Sequence, residues 1–152
     1  MAVHWQPAGF DTVTPYITVR DAVKAVEFYT KAFGAELTLK LTMPDGSYAH
    51  AEIKIGDSRI MMAEENPQWG NTSPQKLGGS PVSFMIYVPD ADAAFARALA
   101  AGCTQVRPVE DQFYGDRTGT LKDPFGFQWS IGTHIEEVSE AEGQKRMEAM
   151  FK

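Results

Sequence analysis

An internal repeat is the feature that most constrains how this chain of 152 residues can fold. The segment VRDAVKAVEFYTKAFGAE at residues 19–36 is echoed about 69 residues later by VPDADAAFARALAAGCTQ at residues 88–105. Self-similarity at a fixed spacing indicates that one structural unit is built twice. We therefore expect two related halves, each with the same order of elements.

Each half begins with a pattern typical of a strand followed by a helix. A short β-forming run, TPYITV or VSFMIYV, leads into Asp21 or Asp90. An aspartate at this place suits a helix N-cap, because its carboxylate accepts hydrogen bonds from free backbone N–H groups. Apolar residues then recur at spacings of three and four, and both predicted helices end at a glycine, Gly34 or Gly102.

Three runs typical of strands follow each predicted helix. In the first half these are ELTLKLTM, YAHAEIKI and SRIMMA; in the second they are a less regular stretch over residues 104–109, then GTLKD and FQWSIGT. Turn sequences such as PDGS and DPFG separate them. The sequence thus predicts an α+β chain with the order βαβββ repeated twice.

The predicted parts form one domain made of paired modules. Between the modules lies a segment rich in Gly, Pro, Asn and Ser, which predicts a linker or mobile loop, and a helical tail with capping-box spacing at Ser139 and Glu142 ends the chain. The bounds, in chain order, are 1–152 for the domain, 10–65 for the first module, 66–81 for the linker, 82–134 for the second module and 135–152 for the tail.

Charge and cysteine content exclude several classes of protein. A net charge of -6 disfavours binding to nucleic acid or to anionic membranes, because both would be repelled. No basic segment followed by an apolar run opens the chain, and no apolar stretch is long enough to span a membrane. Cys103 is the single cysteine, which excludes an intramolecular disulfide and a CxxC site, and we expect it to be a packed thiol in a cytoplasmic protein.

Three stretches, in this order and spacing, resemble a known family. They are TPYITVRDAVKAVEFYTKAFGAE, AHAEIKIGDSRIMMAEE and YGDRTGTLKDPFGFQWSI, and the resemblance covers residues 12–134. The family is the vicinal oxygen chelate superfamily of glyoxalases, bleomycin resistance proteins and extradiol dioxygenases, in its PhnB-like branch. This resemblance implies that the two modules form a curved mixed sheet around a small-molecule cleft, and that the protein is a homodimer.

The resemblance also identifies where metal-dependent members of the family place their ligands. Carried over by motif, the positions are Thr14, Met61 (approximately), Ser83 and Ser130. None of these residues is a good ligand for a divalent metal, which usually takes three or four protein donors. We therefore expect no cofactor, with a divalent metal as the less favoured alternative.

Strand alternation sorts the residues of each module into two faces. The helices should cover Val13, Ile17 and Val19 of the first strand and Ala51, Ile53 and Ile55 of the third. The residues predicted to face the cleft are Thr14, Tyr16, Thr18, His50, Glu52, Lys54, Arg59, Met61, Ala63, Ser83, Met85, Tyr87, Thr118, Thr120, Lys122, Gln128 and Ser130.

His50 is the candidate catalytic residue. Together with Glu52 it forms a His–carboxylate pair on one predicted face, and a histidine with a fixed tautomer can act as a general base. The alternative is a half-buried strand residue that only orients a neighbour. His4 and His134 lie towards the ends of the chain and are expected at the surface.

A second group of candidate ligand-binding residues lies in the irregular sequence QFYGDR. Here Tyr114, Asp116 and Arg117 are expected on a loop presented by the sheet, with Arg117 binding a carboxylate or phosphate and Asp116 holding its guanidinium. The alternative is an Asp–Arg pair that only fixes the loop. Tyr16, Glu52, Met61 and Tyr87 complete the predicted ligand-binding set.

Two functions remain open from the sequence. The first is metal-independent binding or sequestration of a small molecule, which needs shape, aromatic surface and a few polar anchors. The second is a divergent lyase, isomerase or dioxygenase that uses a divalent metal or His50 as a general base.

Overall fold

The structure, a computed structural model, describes residues 2–152 and has α+β architecture. Two compact units divide the chain between Ser80 and Pro81. Each unit contains one four-stranded mixed sheet in which the strands follow the spatial order first, fourth, third and second. The α+β class and the repeated βαβββ order predicted from the internal repeat are therefore confirmed.

In the first unit the polar residues that the sequence predicts for the cleft lie on neighbouring strands. Its elements are β1 (Tyr16–Val19), α1 (Ala22–Phe33), β2 (Glu36–Thr42), β3 (Tyr48–Ile55) and β4 (Ser58–Glu64). β1 pairs in parallel with β4, β4 pairs antiparallel with β3, and β3 pairs antiparallel with β2. A side chain on β1 must therefore cross β4 to reach β3.

The segment predicted as an irregular linker, residues 66–81, contains two short helical turns. They are a 3-10 turn (Pro67–Trp69) and α2 (Pro74–Leu77). The side chains of Asn66 and Ser73 cap their starts, and each turn ends at a glycine with positive φ. These elements are too short to produce a periodic pattern, and the residues that cap them are the same types that form loops.

The second unit repeats the plan and adds a terminal helix. Its elements are β5 (Ser83–Tyr87), α3 (Ala91–Ala101), β6 (Thr104–Asp111), β7 (Asp116–Lys122), β8 (Gln128–His134) and α4 (Glu140–Met150). β5 pairs in parallel with β8, while β8–β7 and β7–β6 are antiparallel. β7 begins at Asp116, so Asp116 and Arg117 lie in a strand and not in the loop that the sequence predicted.

The predicted helix ends are confirmed by their capping contacts. The carboxylates of Asp21 and Asp90 accept hydrogen bonds from the backbone N–H groups of Lys24 and Ala93, both at 3.0 Å. The glycines after α1 and α3 have φ values of 69° and 126°. Both values are unfavourable for residues with a Cβ, which explains why glycine ends each helix.

The terminal helix α4 is attached through one arginine. Ser139 caps its start as predicted, accepting from the N–H of Glu142. The Arg146 guanidinium binds Glu136, Glu142 and the carbonyl oxygen of Phe113. The methionines and phenylalanine expected to pack on a neighbour or partner are exposed in this chain.

Burial within each unit follows strand alternation with two departures. Ile17, Val19, Ala51, Ile53 and Ile55 are buried as predicted. Val13 was expected under a helix, but its side chain is 82% exposed, because β1 begins only after Pro15. On the opposite face, the expected cleft residues Ala63, Thr118 and Thr120 are buried, and all three have short side chains on inner strands. Among residues 2–152, no helix combines the length and apolar character needed to cross a membrane.

Candidate functional site

The face of the first sheet that points away from α1 carries most of the predicted polar residues of that module. Strand pairing places Tyr16 beside Met61, and Met61 beside Glu52, so these three residues form a row across β1, β4 and β3. His50 lies two residues before Glu52 on β3 and therefore points to the same side. This face, with its side chains only partly covered, is called the open face below.

Tyr16, His50 and Glu52 form a continuous chain of hydrogen bonds on the open face. The Tyr16 Oη atom lies 2.7 Å from His50 Nδ1, and His50 Nε2 lies 3.1 Å from Glu52 Oε1. The rings of Tyr16 and His50 are tilted by 57°. Tyr16 is 57% exposed, whereas the side chains of His50 and Glu52 are mostly covered. The chain therefore runs from a covered carboxylate to an accessible hydroxyl.

The chemistry of the donors fixes the direction of this chain. An ionised carboxylate only accepts hydrogen bonds, so the proton between His50 and Glu52 belongs to His50 Nε2. In a neutral imidazole the other nitrogen is then an acceptor, so the Tyr16 hydroxyl donates to His50 Nδ1. Glu52 thus fixes the tautomer of His50, and His50 fixes the proton of Tyr16.

Apolar side chains from the edge strand β2 border this cluster. Leu39 is paired with Glu52 and Leu41 with His50, and their side chains are 41% and 57% exposed. Met61 adds a partly covered thioether between Tyr16 and Glu52. The two leucines were missed as candidate site residues, although the alternation of ELTLKLTM placed them on one face of a strand.

The N-terminal segment packs against one end of the open face. Arg59, paired with Lys54 on this face, donates from Nε to the carbonyl oxygen of Gly9 at 3.1 Å. Its guanidinium carbon lies 5.1 Å from the centre of the Phe10 ring. A Cβ atom at position 9 would come within 2.8 Å of the Arg59 guanidinium, so glycine allows this close approach.

The second unit contains another Tyr–His–carboxylate cluster, with a different connection. Asp116 accepts from the Tyr87 hydroxyl at 2.7 Å through Oδ2, and its Oδ1 atom lies 2.7 Å from His134 Nδ1. Asp116 is only 5% exposed and lies opposite His134 in the β7–β8 pairing. The carboxylate is therefore the centre of this cluster, and it links β5, β7 and β8.

The pKa values in the second cluster reflect this arrangement. Burial alone would raise the pKa of Asp116, but hydrogen bonds from His134 and Tyr87 outweigh burial and lower it. The hydrogen bond to Asp116 raises the pKa of Tyr87. Hydrogen bonds to Asp116 and then to Glu137 raise the pKa of His134. His134, predicted as a surface residue, is half-exposed and is also bonded to the buried carboxylate of Asp116.

Arg117 does not have the partner that the sequence predicted. Its guanidinium binds Asp92 at 2.8 and 3.0 Å and Asp111 at 2.9 Å, and the bonds to Asp92 lower the pKa of the Asp92 carboxyl. The predicted contact with Asp116 is wrong because adjacent residues of a strand point to opposite faces. With two carboxylates bound, Arg117 has little capacity left for an anionic ligand.

Tyr114 lies in the turn before β7 and is partly exposed. Its ring meets that of Phe113 edge-on, with centroids 5.3 Å apart. Met61 and Tyr16 belong to the open face of the first unit, whereas Tyr87, Tyr114 and Asp116 belong to the second unit. The predicted ligand-binding residues therefore fall into two groups, each described within its own unit.

The residues at the family's ligand positions do not fit a resident divalent metal. Thr14, Met61, Ser83 and Ser130 offer hydroxyl and thioether groups, which bind such ions weakly. Within residues 2–152, no group of three or more His, Cys, Asp or Glu side chains is arranged to hold a metal ion. His50 and Glu52 supply two donors, and these are bonded to each other.

A surface depression of about 470 Å³ lies beside the start of α1, away from these clusters. Arg20, Lys24 and Glu64 are among the residues that line it. The Glu64 carboxylate already accepts from the backbone N–H of Ala22 at the helix start. The helix N-terminus is therefore satisfied internally, and the depression contains none of the predicted site residues.

Two βαβββ units, each with a sheet covered by a helix on one side, define a paired-module fold of the vicinal oxygen chelate type. The chain belongs to the Glyoxalase/Bleomycin resistance protein/Dioxygenase superfamily, whose family model matches residues 9–131. This result confirms the family inferred from the three sequence stretches.

Proteins of bacteria and plants are similar to this chain in sequence, and one of them also in structure. "Uncharacterized protein Mb0911c" of Mycobacterium bovis is 41% identical over 150 residues, covering 97% of this chain and 96% of the relative. "Uncharacterized protein At5g48480" of Arabidopsis thaliana is 32% identical over 112 residues, covering 69% and 67%. Its crystal structure aligns with a TM-score of 0.66 at 28% identity, covering 84% of this chain and 99% of that one.

Solved bacterial structures show the same fold. TioX from Micromonospora sp. ML1 aligns with a TM-score of 0.66 at 25% identity, covering 82% of this chain and 99% of its own. A PhnB protein from Bacillus cereus aligns with a TM-score of 0.61 at 18% identity, covering 81% and 99%. PhnB-type proteins are thus among the structural neighbours of this chain.

Proposed function

We propose that this protein binds a small molecule on the open face of its first sheet, without a resident divalent metal. The observation that carries this proposal is the hydrogen-bonded chain of Tyr16, His50 and Glu52, bordered by exposed leucines. A site of this kind combines apolar contact area with a few fixed polar groups, which is the usual composition of small-molecule sites. Ligand binding or sequestration needs no further reactive group.

The metal-free part of the proposal is supported by the donor chemistry at the family's ligand positions. Elemental analysis of the purified protein, after dialysis against a weak chelator, is expected to find much less than one equivalent of metal per chain. Retention of a full equivalent through dialysis would overturn this part, because tight binding requires a set of ligands that the described residues do not form.

The location of the ligand can be tested with substitutions of exposed residues. The double variant Leu39→Ser, Leu41→Ser should weaken binding of naphthalene-based probes by about tenfold, because it removes apolar contact area worth more than 1 kcal/mol. Val106→Ser on β6 is the matched control, since Val106 is also exposed on an edge strand. Equal affinities for the double variant and the wild type would place the ligand elsewhere.

A second candidate function is proton-transfer catalysis with His50 as the base. The specific observation in its favour is the Tyr16–His50–Glu52 chain, because a histidine held by a carboxylate can take a proton through the tyrosine hydroxyl. Exchange of the acidic C–H protons of phenylacetone in D2O, followed by NMR, tests it. Exchange above that of the His50→Gln variant would support catalysis, and equal exchange would leave binding as the function.

A further inference from the structure

The proton order in the Tyr16–His50–Glu52 chain determines what Tyr16 can offer to a ligand. Its hydroxyl proton is directed to His50 Nδ1, 2.7 Å away. The outward side of the oxygen therefore carries lone pairs and no hydrogen. Since a hydroxyl has one proton and two acceptor sites, Tyr16 is an acceptor towards anything that approaches from solvent.

We infer that the open face selects apolar small molecules that donate a hydrogen bond to Tyr16 Oη, with an ammonium group preferred over a neutral hydroxyl. This inference rests on the proposed binding function and names its ligand class. A ligand that presents only an acceptor, such as an ether or a ketone, meets lone pairs facing lone pairs and gains no hydrogen bond there.

Within the cluster, charge favours the ammonium group; the cations Lys54 and Arg59 stand one row away, where Arg59 is bonded to Gly9. The cluster carries the negative charge of Glu52, whose side chain is largely covered and is paired with His50 alone among the ionic contacts of residues 2–152. A cation at Tyr16 Oη lies at the outer end of a chain that terminates in this carboxylate, and a hydrogen bond with a charged donor is stronger than a neutral one. The net charge of -6 attracts cations to the protein over longer distances.

The surrounding side chains select the rest of the ligand. Leu39 and Leu41 on β2 and Met61 on β4 place apolar surface beside the cluster, on the same face of the sheet. A flat hydrocarbon body can cover these side chains while its donor reaches Tyr16. The two requirements together describe an aromatic body that carries an alkylammonium group or a phenol-like hydroxyl.

Three naphthalene probes of nearly equal size separate these requirements. They are 2-(aminomethyl)naphthalene, 2-naphthol and 2-methoxynaphthalene, of which the last has no donor. Dissociation constants would be measured by ligand-observed NMR with the full chain at about pH 8, where imidazoles are ordinarily neutral. We expect the dissociation constants of the amine and the naphthol to be lower than that of the methoxy compound by a factor of about ten or more, which is the effect of one hydrogen bond.

The Glu52→Gln variant tests the proton order itself. A neutral amide can accept from His50 Nε2 or donate to it, so it no longer fixes the imidazole proton on Nε2; whenever it donates, the proton moves to Nδ1 and the Tyr16 hydroxyl is free to donate outward. The preference for donors should therefore fall to within about twofold, with the methoxy compound gaining affinity. Tyr16→Phe should also abolish the preference, whereas Tyr87→Phe, in the other cluster, should leave it unchanged.

A measurement without any ligand checks the same proton order. Nitrogen-15 NMR of the histidine rings distinguishes a protonated Nε2 from a protonated Nδ1, and the His50→Gln variant assigns the signals of His50. We expect Nε2 to carry the proton in the wild type and the population to move towards Nδ1 in Glu52→Gln. A protonated Nδ1 in the neutral wild type would overturn the inference.

The outcomes separate this inference from the proposed function. Equal binding of all three probes to the open face would overturn the donor selection and leave small-molecule binding intact. A preference that stays unchanged in Glu52→Gln after nitrogen-15 NMR shows the imidazole proton on Nδ1 would likewise contradict the inference. Failure of all three probes to bind would overturn both, because the apolar face would then hold neither class of molecule.

Discussion

The two modules contain the same three types of side chain, tyrosine, histidine and carboxylate, connected in opposite ways. In the first module His50 lies between Tyr16 and Glu52, whereas in the second Asp116 lies between Tyr87 and His134. The central carboxylate of Asp116 accepts two hydrogen bonds, so the outer groups, Tyr87 and His134, both donate to it. With a central histidine, the direction of the Tyr16 hydroxyl proton depends on Glu52 through the imidazole, whereas Tyr87 donates to its carboxylate directly.

The strands account for this difference. His50 and Glu52 are two residues apart on one strand, and Tyr16 reaches across β4 to join them. In the second module Asp116 and His134 are cross-strand partners, and Tyr87 comes from β5. The first cluster is therefore anchored mainly in β3, while the second ties together three strands. We expect the second to contribute more to stability and the first to contribute more to binding.

Removing the central carboxylate of the second cluster should have the largest effect. Asp116→Ala removes two hydrogen bonds to an ionised carboxylate, and we expect the free energy of unfolding to fall by about 2–3 kcal/mol, because the Tyr87 and His134 groups left behind are exposed enough to bond to water. Glu52→Ala should cost about 1 kcal/mol or less, since it removes one side-chain hydrogen bond where Asp116→Ala removes two. Urea denaturation of both variants measures the difference, and equal losses would break the proposed division of roles.

The tyrosines provide a smaller and cleaner contrast. Tyr87→Phe removes a hydrogen bond to an ionised carboxylate and should lower the free energy of unfolding by about 1–2 kcal/mol. Tyr16→Phe removes a bond between neutral groups and should change the free energy of unfolding by about 0.5 kcal/mol or less. A greater loss for Tyr16→Phe in the same urea titrations would reverse the comparison.

The smallest effect that we expect in the comparison of the two clusters is the pH dependence of stability that the second cluster produces. The raised pKa of His134 means that its contribution is fully present below the ordinary histidine pKa of about 6.5 and is lost as the pH rises through the folded-state pKa. The lowered pKa of Asp116 means that its contribution is lost as the pH falls through that lower value.

The pair therefore stabilises the protein most between these two limits, in mildly acidic solution. The stability gap between wild type and His134→Gln should narrow as the pH rises from about 6 to about 9, measured by thermal unfolding. His4→Gln is the control, because His4 is exposed and its contacts are with its neighbours Trp5 and Gln6, with no carboxylate among them. A gap that does not change with pH would show that the Asp116–His134 contact carries no charge.

The sequence predicted the open face but not how its residues connect. Strand alternation places His50 and Glu52 together because their separation of two residues is a local property. The contact of Tyr16 with His50 depends on β4 being inserted between β1 and β3, which is a long-range feature of the sheet. A pattern within one strand contains no information about that order.

The same limit explains the errors around Asp116 and Arg117. The sequence QFYGDR is rich in turn-forming residues, so the strand was expected to start later than Asp116, where β7 begins. Arg117 binds Asp92, which lies 25 residues away on another element. Neither the strand boundary nor this pairing follows from neighbouring residues, and the cross-strand pairing of Asp116 with His134 is equally non-local.

The contact of the N-terminal segment with Arg59 limits how far a ligand can extend along the open face. Successive residues on one face of a strand are about 6.6 Å apart, so the rows of Lys54, Glu52 and His50 along β3 span roughly 13 Å. Gly9 and Phe10, held by Arg59, stand at the Lys54 end of this distance. A molecule that is anchored at Tyr16 and extends along β3 towards Lys54 meets the protein's own backbone after about one row. A molecule that extends the other way passes His50 and Leu41.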